Sequence, residues 1–343
     1  MVERPDRSRS PAPLVVDCDP GLDDVVALAV LAGDAAAGRL EISALMAVAG
    51  NVGRDRCAAN ARLALDRLER ADLPVHAGAD RAIGGLTAVD AGGFHGGDGL
   101  AGLAGDFGVA ATPELSAPDP GAMFAELVRT AAGTGTVDVL TLGPLTDLAL
   151  ALASDPALPE VIGRVVSMGG GFGTAVPGTD PGTDRAPDGR VLSGSRWGNV
   201  TRRAEFNIHA DPVAADRVFA AGLPLTLIPL DVTRRVLLTE ADADEVSAAG
   251  CDELVVALLE AGVERQRAQT GLAGMAAHDP LAALVLTEPE VVQTEARAVA
   301  VGVDGEARGA CELAVDGRPP IEVALAVDVA SARAGLLARL GRA

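Results

Sequence analysis

The run LVVDCDPGLDD, residues 14–24, limits the fold more than any other part of the chain. Residues 14–18 are a short apolar stretch of buried-strand length. They stop at a Pro20–Gly21 turn, after which residues 22–31 repeat apolar side chains at helical spacing. The same unit recurs downstream. Residues 41–49 read as a strand and 55–70 as an amphipathic helix with Arg and Asp on its outer face, and a further strand leads to Val75. Residues 137–142, 164–168 and 225–230 read as strands, and 145–153 (behind Pro144) and 211–221 as helices. This alternation predicts an α/β fold: an open, mostly parallel, mixed Rossmann-like sheet with helices on both faces. Near the end, residues 298–303, 310–315 and 321–327 alternate in polarity between Asp304–Gly305 and Asp316–Gly317 turns, predicting an antiparallel extension before a last helix over 330–340.

At 343 residues the chain could hold one large α/β domain or two smaller ones. We expect a single domain over 13–343 behind a disordered tail, residues 1–12, which is charged and rich in Ser and Pro. Two stretches near 84–121 and 172–198 are rich in Gly, Asp and Pro without apolar periodicity, and read as irregular insertions. No apolar run reaches the ~20 residues of a membrane-spanning helix, and the tail lacks a signal-peptide core. Cys18, Cys57, Cys251 and Cys311 are scattered without a CxxC pair, which fits reduced, buried thiols. These features predict a cytoplasmic protein. A net charge of −20 repels phosphate backbones and anionic membranes, so neither nucleic acid nor membrane is expected as a partner.

The chemistry concentrates at the first turn. Asp17 and Asp19 leave the strand end on one face, while Asp23 and Asp24 fall in the first turn of the next helix. At about 4 Å and an effective dielectric of 20, each like-charge pair costs ~4 kcal/mol. The cluster therefore needs a cation, a shared proton or strong hydrogen bonding. Taken singly, Asp23 could be a helix cap and Asp17 a partner of loop amides; four acids within eight residues point instead to a bound cation. Carboxylates without paired His or Cys favour calcium over zinc. His278–Asp279–Pro280 opens another apolar-periodic helix and adds a carboxylate beside an imidazole.

These residues resemble the inosine-uridine nucleoside hydrolases. DCDPGLDD (17–24) is similar to that family's N-terminal signature. The likeness continues in order through AGN (49–51), LGPLTDLALAL (142–152), MGGG (168–171), AEFNIHADPVAA (204–215) and HDP (278–280). The resemblance implies the nucleoside hydrolase fold and hydrolysis of the N-glycosidic bond of ribonucleosides to ribose and free base. Calcium would be the cofactor, holding a water activated by Asp19. Asp19, Asp24, Asp279 and the Leu142 carbonyl would be the ligands, with Asp17 in support. Asp23, Asn51 and Asn207 would contact the ribose diol side beside Met168, while Asn199 and Glu205 would hold the 5′-hydroxyl. His278 matches a position that assists the leaving base in part of the family; His95, in FHGGDG, is a weaker candidate for that help. Relatives are usually dimers or tetramers, so a homodimer or homotetramer is implied.

Read without the family, Asn199, Glu205 and Asn207 are polar loop residues with local hydrogen bonds, and His76 and His209 are structural. Cys18 reads as a small buried filler. Leu142 stands where many relatives have Thr, which leaves a carbonyl ligand intact. The chain has no Tyr, so only Phe94, Phe172, Trp197 and Phe206 could meet the base, and purine or pyrimidine preference stays open. Two other functions compete. A calcium-dependent ribonucleoside-binding protein would keep the metal site without turnover. A haloacid-dehalogenase-like phosphatase shares a strand ending in DxD but wants Thr or Ser after it, where this chain has Pro20–Gly21–Leu22.

Overall fold

The computed structural model describes residues 12–83, 92–108, 119–173, 198–313 and 317–342. Residues 1–11 of the expected 1–12 tail, residues 84–91 and 109–118 of the 84–121 insertion, most of the 172–198 insertion including Trp197, and residues 314–316 lie outside them. Along the chain, β1 (Pro13–Cys18), α1 (Leu22–Ala36), β2 (Glu41–Ala47), α2 (Arg54–Arg67) and β3 (Val75–Ala77) come first. The short helices α3 (Gly92–His95) and α4 (Ala104–Phe107) follow, then α5 (Pro120–Ala132), β4 (Val137–Thr141), α6 (Thr146–Ser154) and β5 (Ile162–Met168). Next are α7 (Phe206–Ala210), α8 (Pro212–Phe219), β6 (Leu225–Ile228), α9 (Leu230–Thr233), β7 (Leu237–Thr239), α10 (Glu240–Ala248), α11 (Glu253–Thr270), β8 (Gly274–Ala276) and α12 (His278–Val285). The chain closes with β9 (Val292–Arg297), β10 (Val299–Val301), β11 (Cys311–Leu313), β12 (Ile321–Val327) and α13 (Val329–Leu340).

Eight strands form the main sheet in the order β3-β2-β1-β4-β5-β6-β12-β9, all parallel except β9. The mixed, mostly parallel sheet expected from the strand–helix rhythm is present. The β-rich end differs in detail from the expected antiparallel extension. β10 and β11 pair antiparallel as a separate two-stranded unit, whereas β12 joins the main sheet parallel to β6. The antiparallel edge comes from β9, whose VQTEAR buries only its first residue and so carries little apolar signal. Helix α5 starts at an Asp119–Pro120 cap, where Asp119 accepts from the Ala122 N–H, and that pair reads as loop in a Gly- and Pro-rich stretch.

Alternate strand residues feed two cores. Leu14, Val16, Leu140, Val166 and Ile228 join the core under α1, α11, α12 and α13; Val15, Val139, Val165 and Leu227 face α5, α6 and α8. Helix α1 is apolar on nearly every side because α11, α12 and α13 all pack on it, and residues 22–34 are buried throughout. At its C-terminal end, Gly33 admits the Arg339 carbonyl so closely that a Cβ would overlap it. Arg339, 2% exposed, is paired there with Asp34 at 2.7 Å and Glu288 at 2.9 Å, and donates to the Thr287 hydroxyl. Arg39 also pairs with Asp34.

This network fixes the last helix to the helix that bears the acidic cluster. Replacing Arg339 by Met leaves Asp34 buried with only the half-exposed Arg39 as a charge partner. The loss should be about 3 kcal/mol in urea unfolding, near the lower end for breaking a buried ion pair. An unchanged midpoint would show that the network contributes nothing.

Candidate active site

The crevice between β1 and β4 is where the strand order reverses, and in open α/β sheets ligands bind outside the carboxyl ends of the strands at that point. β1 ends at Cys18, and Asp19, Pro20 and Gly21 turn the chain directly into α1. Gly21 lies where a Cβ would overlap the His95 ring and crowd the Asn51 amide, so the turn has no room for a side chain. Asp24 folds back as the helix cap: Oδ2 accepts from the Gly21 N–H at 2.9 Å and Oδ1 from the Asp19 N–H at 3.2 Å. Asp279 arrives from the first turn of α12.

Among the described residues, Asp23, Asp24 and Asp279 each present a carboxylate oxygen, all within 4.8 Å of one another. Asp24 and Asp279 are shared with the ligand set implied by the family resemblance; here Asp23 completes the close group, and Asp19 stands beside it. Asn51 holds Asp19. Its backbone N–H donates to Asp19 Oδ2 at 2.7 Å, and its side-chain amide donates to the Asp19 carbonyl and to Asp24 Oδ2, both at 3.1 Å. Asn51 thus orients two acids, and Gly50 is so close to the Asp19 carboxylate that a Cβ would overlap it.

Burial dominates the electrostatics. Loss of water pushes the Asp19 and Asp279 carboxyls well above the usual range, helped by the charges of Asp24 on Asp19 and of Asp23 and Asp24 on Asp279. Desolvation also raises Asp23 and Asp24, each to about 6. Asp23 Oδ1 and Asp279 Oδ1 are buried without a hydrogen-bond partner. Buried, unpartnered carboxyl oxygens in one close group fit a hard divalent cation, and the donor set is oxygen throughout. Deeper down, Asp17 lies against Asp147. Burial and then the Asp147 charge hold Asp17 well above the ordinary range, and burial pushes Asp147 up to about 7. Two such neighbours coexist by sharing a proton.

Opposite the acids, Glu205 caps α7. It accepts from the backbone N–H groups of Asn207 (2.9 Å), Ile208 (3.1 Å) and Gly170 (3.0 Å), tying the MGGG loop to that helix. The Asn207 amide donates to the Leu142 carbonyl at 2.5 Å and to the Met168 carbonyl at 3.2 Å. The Leu142 oxygen keeps a second lone pair for a cation. His95 is buried, with Nδ1 accepting from the Leu22 N–H at 3.1 Å and lying 3.9 Å from Asp23 Oδ1. His278 is partly buried, with Nδ1 at 2.7 Å from Thr233 Oγ1. Desolvation draws His95 down to about 4 and His278 down to about 3, so both rings are neutral near pH 7.

Asn199 stands apart from this group. It is exposed, in a tight bend where its backbone N–H donates to the Ala204 carbonyl. Asp147, Asp231 and Thr233 were given no role by the sequence. Asp231 follows an apolar strand much as Asp19 does, and that signal could have marked it. Thr233 carries no local signal, because its partner is 45 residues away.

The pattern of the family described as inosine-uridine preferring nucleoside hydrolase matches residues 14–334. The chain belongs to this family. It is a nucleoside hydrolase, an enzyme that cleaves an N-glycosidic bond, and the family is metal-dependent. The pyrimidine-specific ribonucleoside hydrolase RihA of Salmonella schwarzengrund is 34% identical over 299 residues, covering 86% of this chain and 85% of that protein. Among solved structures, a purine-preferring ribonucleoside hydrolase from Gardnerella vaginalis matches with a TM-score of 0.80 and 25% identity, over 96% of this chain and 98% of that one. A plant nucleoside hydrolase, PpNRh1, matches with a TM-score of 0.79 and 26% identity, over 96% and 99%. No helix among the described residues is long and apolar enough to cross a membrane.

A cation that binds only the folded crevice must stabilise it. Calcium at about a hundred times its Kd should add ~2.7 kcal/mol to the stability of chelator-treated protein. Differential scanning calorimetry should show that gain, and Asp279→Asn should lose most of it. A melting temperature indifferent to calcium and magnesium would rule out a cation at these acids.

Proposed function

We propose that this nucleoside hydrolase converts ribonucleosides to ribose and free base, with calcium as its cofactor and Asp19 as the general base. The observation that carries the reading is the close group of Asp23, Asp24 and Asp279, with the Asp19 N–H bonded to Asp24 and the Asn207 amide bonded to the Leu142 carbonyl. Asp24, Asp279 and the Leu142 carbonyl would hold the ion, with Asp19 and Asp23 on its flanks. When bound, calcium would supply an acidified water and an anchor for the sugar diol.

The chain's own groups do the rest. Asp19 has Oδ2 fixed by the Asn51 N–H, which leaves Oδ1 to take the proton of the attacking water. Charge develops on the sugar as the glycosidic bond breaks, and the surrounding carboxylates stabilise that oxocarbenium-like state. Asn207 is held between the ends of β4 and β5, in place to meet a ribose hydroxyl as well as Leu142. Glu205 spends both oxygens on backbone N–H groups, so its contact with a 5′-hydroxyl would be added to a capping role. His278 and His95, both neutral, would offer hydrogen bonds to the departing base.

Relatives that share this frame are named for pyrimidine and for purine substrates, so a test must span both. Incubation with uridine, cytidine, inosine and adenosine should release reducing sugar from at least one, and a chelator should stop it. Asp19→Asn should lower kcat by about 10²- to 10⁴-fold, the usual contribution of a positioned general base. Sugar release that survives both chelation and Asp19→Asn would refute the mechanism.

A further inference from the structure

We infer that Thr233 is a positioning residue that fixes the His278 imidazole with its Nε2–H, a hydrogen-bond donor, turned toward the leaving base. The inference rests on the ribonucleoside hydrolase reading above and adds a residue to it. Thr233 closes the single turn of α9 and is 0% exposed. Its hydroxyl hydrogen has no route to water and needs an acceptor inside the protein. The partner at hand is His278 Nδ1, 2.7 Å away. A ring nitrogen that accepts carries no hydrogen, so the single proton of the neutral ring sits on Nε2.

The surroundings say where that proton points. Ala277 and residues 279–285 of α12 are buried, and His278 alone in that run keeps access to solvent. Nδ1 is closed off by Thr233, so the open edge of the ring is the Nε2 edge. The Arg234 charge and, less, that of His95 act on the His278 ring. The Leu22 N–H is an unambiguous donor to His95 Nδ1, which leaves that ring with Nε2–H as well.

Thr233 is itself held by the sugar-side frame. Leu230 N–H donates to the Gly170 carbonyl at 3.0 Å, and Asp231 accepts from the N–H groups of Phe172 (2.8 Å) and Gly173 (2.7 Å). The loop that Glu205 ties to α7 therefore also sets the height of α9 and of the hydroxyl that orients His278. In the reaction the C1′–N bond breaks with its electron pair passing to the base nitrogen, while the water oxygen bonds to C1′ and its proton goes to Asp19. An Nε2–H aimed at a ring nitrogen or carbonyl of the base spreads that new negative charge by hydrogen bonding, without having to give up its proton.

The test compares Thr233→Val and Thr233→Ser in the calcium-loaded enzyme on two substrates: a natural ribonucleoside, and 4-nitrophenyl riboside, whose phenolate leaves without help. Thr233→Val should lower kcat on the nucleoside about tenfold or more, with KM little changed. It should leave the aryl riboside within twofold, and Thr233→Ser should restore nucleoside turnover. Nitrogen-15 NMR of labelled histidine should show His278 with Nε2–H in the wild type and a mixture of tautomers in Thr233→Val. Equal loss on both substrates, no loss on either, or a wild-type ring carrying Nδ1–H would overturn the inference. A wild-type enzyme that cleaves neither substrate would overturn the ribonucleoside hydrolase reading instead, and the tautomer spectrum would still judge the role of Thr233 on the ring.

Discussion

Asp17, Asp19, Asp23, Asp24 and Asp279 are all withdrawn from water at the point where β1 and β4 part. Like charges so placed repel by ~4 kcal/mol per close pair even at an effective dielectric of 20, and much of the surrounding structure can be understood as relief of that repulsion. Asp24 is drawn into the cap of its own helix, and Asn51 holds Asp19 with its backbone and Asp24 with its side chain. Asp17 leans on Asp147, which in turn accepts from the Ala79 N–H at 2.8 Å. Gly21 and Gly50 give up side chains so that these partners can approach. Helices α1 and α12 both begin at the cluster, which places the positive ends of their dipoles beside the anions. What remains is a close group of oxygens from Asp23, Asp24 and Asp279 that fits a cation.

The residues around the acids are held by one shared frame. The loop after β5 is gripped by Glu205 from α7 and by Asp231 from α9. On α7 the Asn207 amide reaches the Leu142 carbonyl, while at the end of α9 Thr233 reaches His278. Asn207 and Thr233 therefore depend on the same few backbone hydrogen bonds. A disturbance of the loop would be felt at both, which is the usual condition for holding groups in register.

Much of the fold was legible because a parallel sheet covered on both faces leaves short apolar strands between helices, and Pro–Gly turns mark the joins. The edges were less legible. β9 has one buried residue and leaves no periodic signal, while β3, expected to lead to Val75, begins there and has only three residues. The acidic cluster and its partners in the HDP and AEFN motifs were readable by composition and by family likeness. The work of Asn51 was not: the sequence offered it as a sugar contact, and the structure shows it orienting Asp19 and Asp24.

By itself the sequence determined that four acids follow a strand into a helix, that oxygen donors predominate, and that the ordered motifs are those of a nucleoside hydrolase. These are facts of local spacing, and spacing survives without three dimensions. Tertiary structure alone decided that Asp23 makes a close group with Asp24 and Asp279, that Asp147 lies under Asp17, and that Thr233 meets His278. Each of those pairings joins residues on different elements or turns on which way a side chain is pulled. Burial and packing settle such choices, and no pattern along the chain records them.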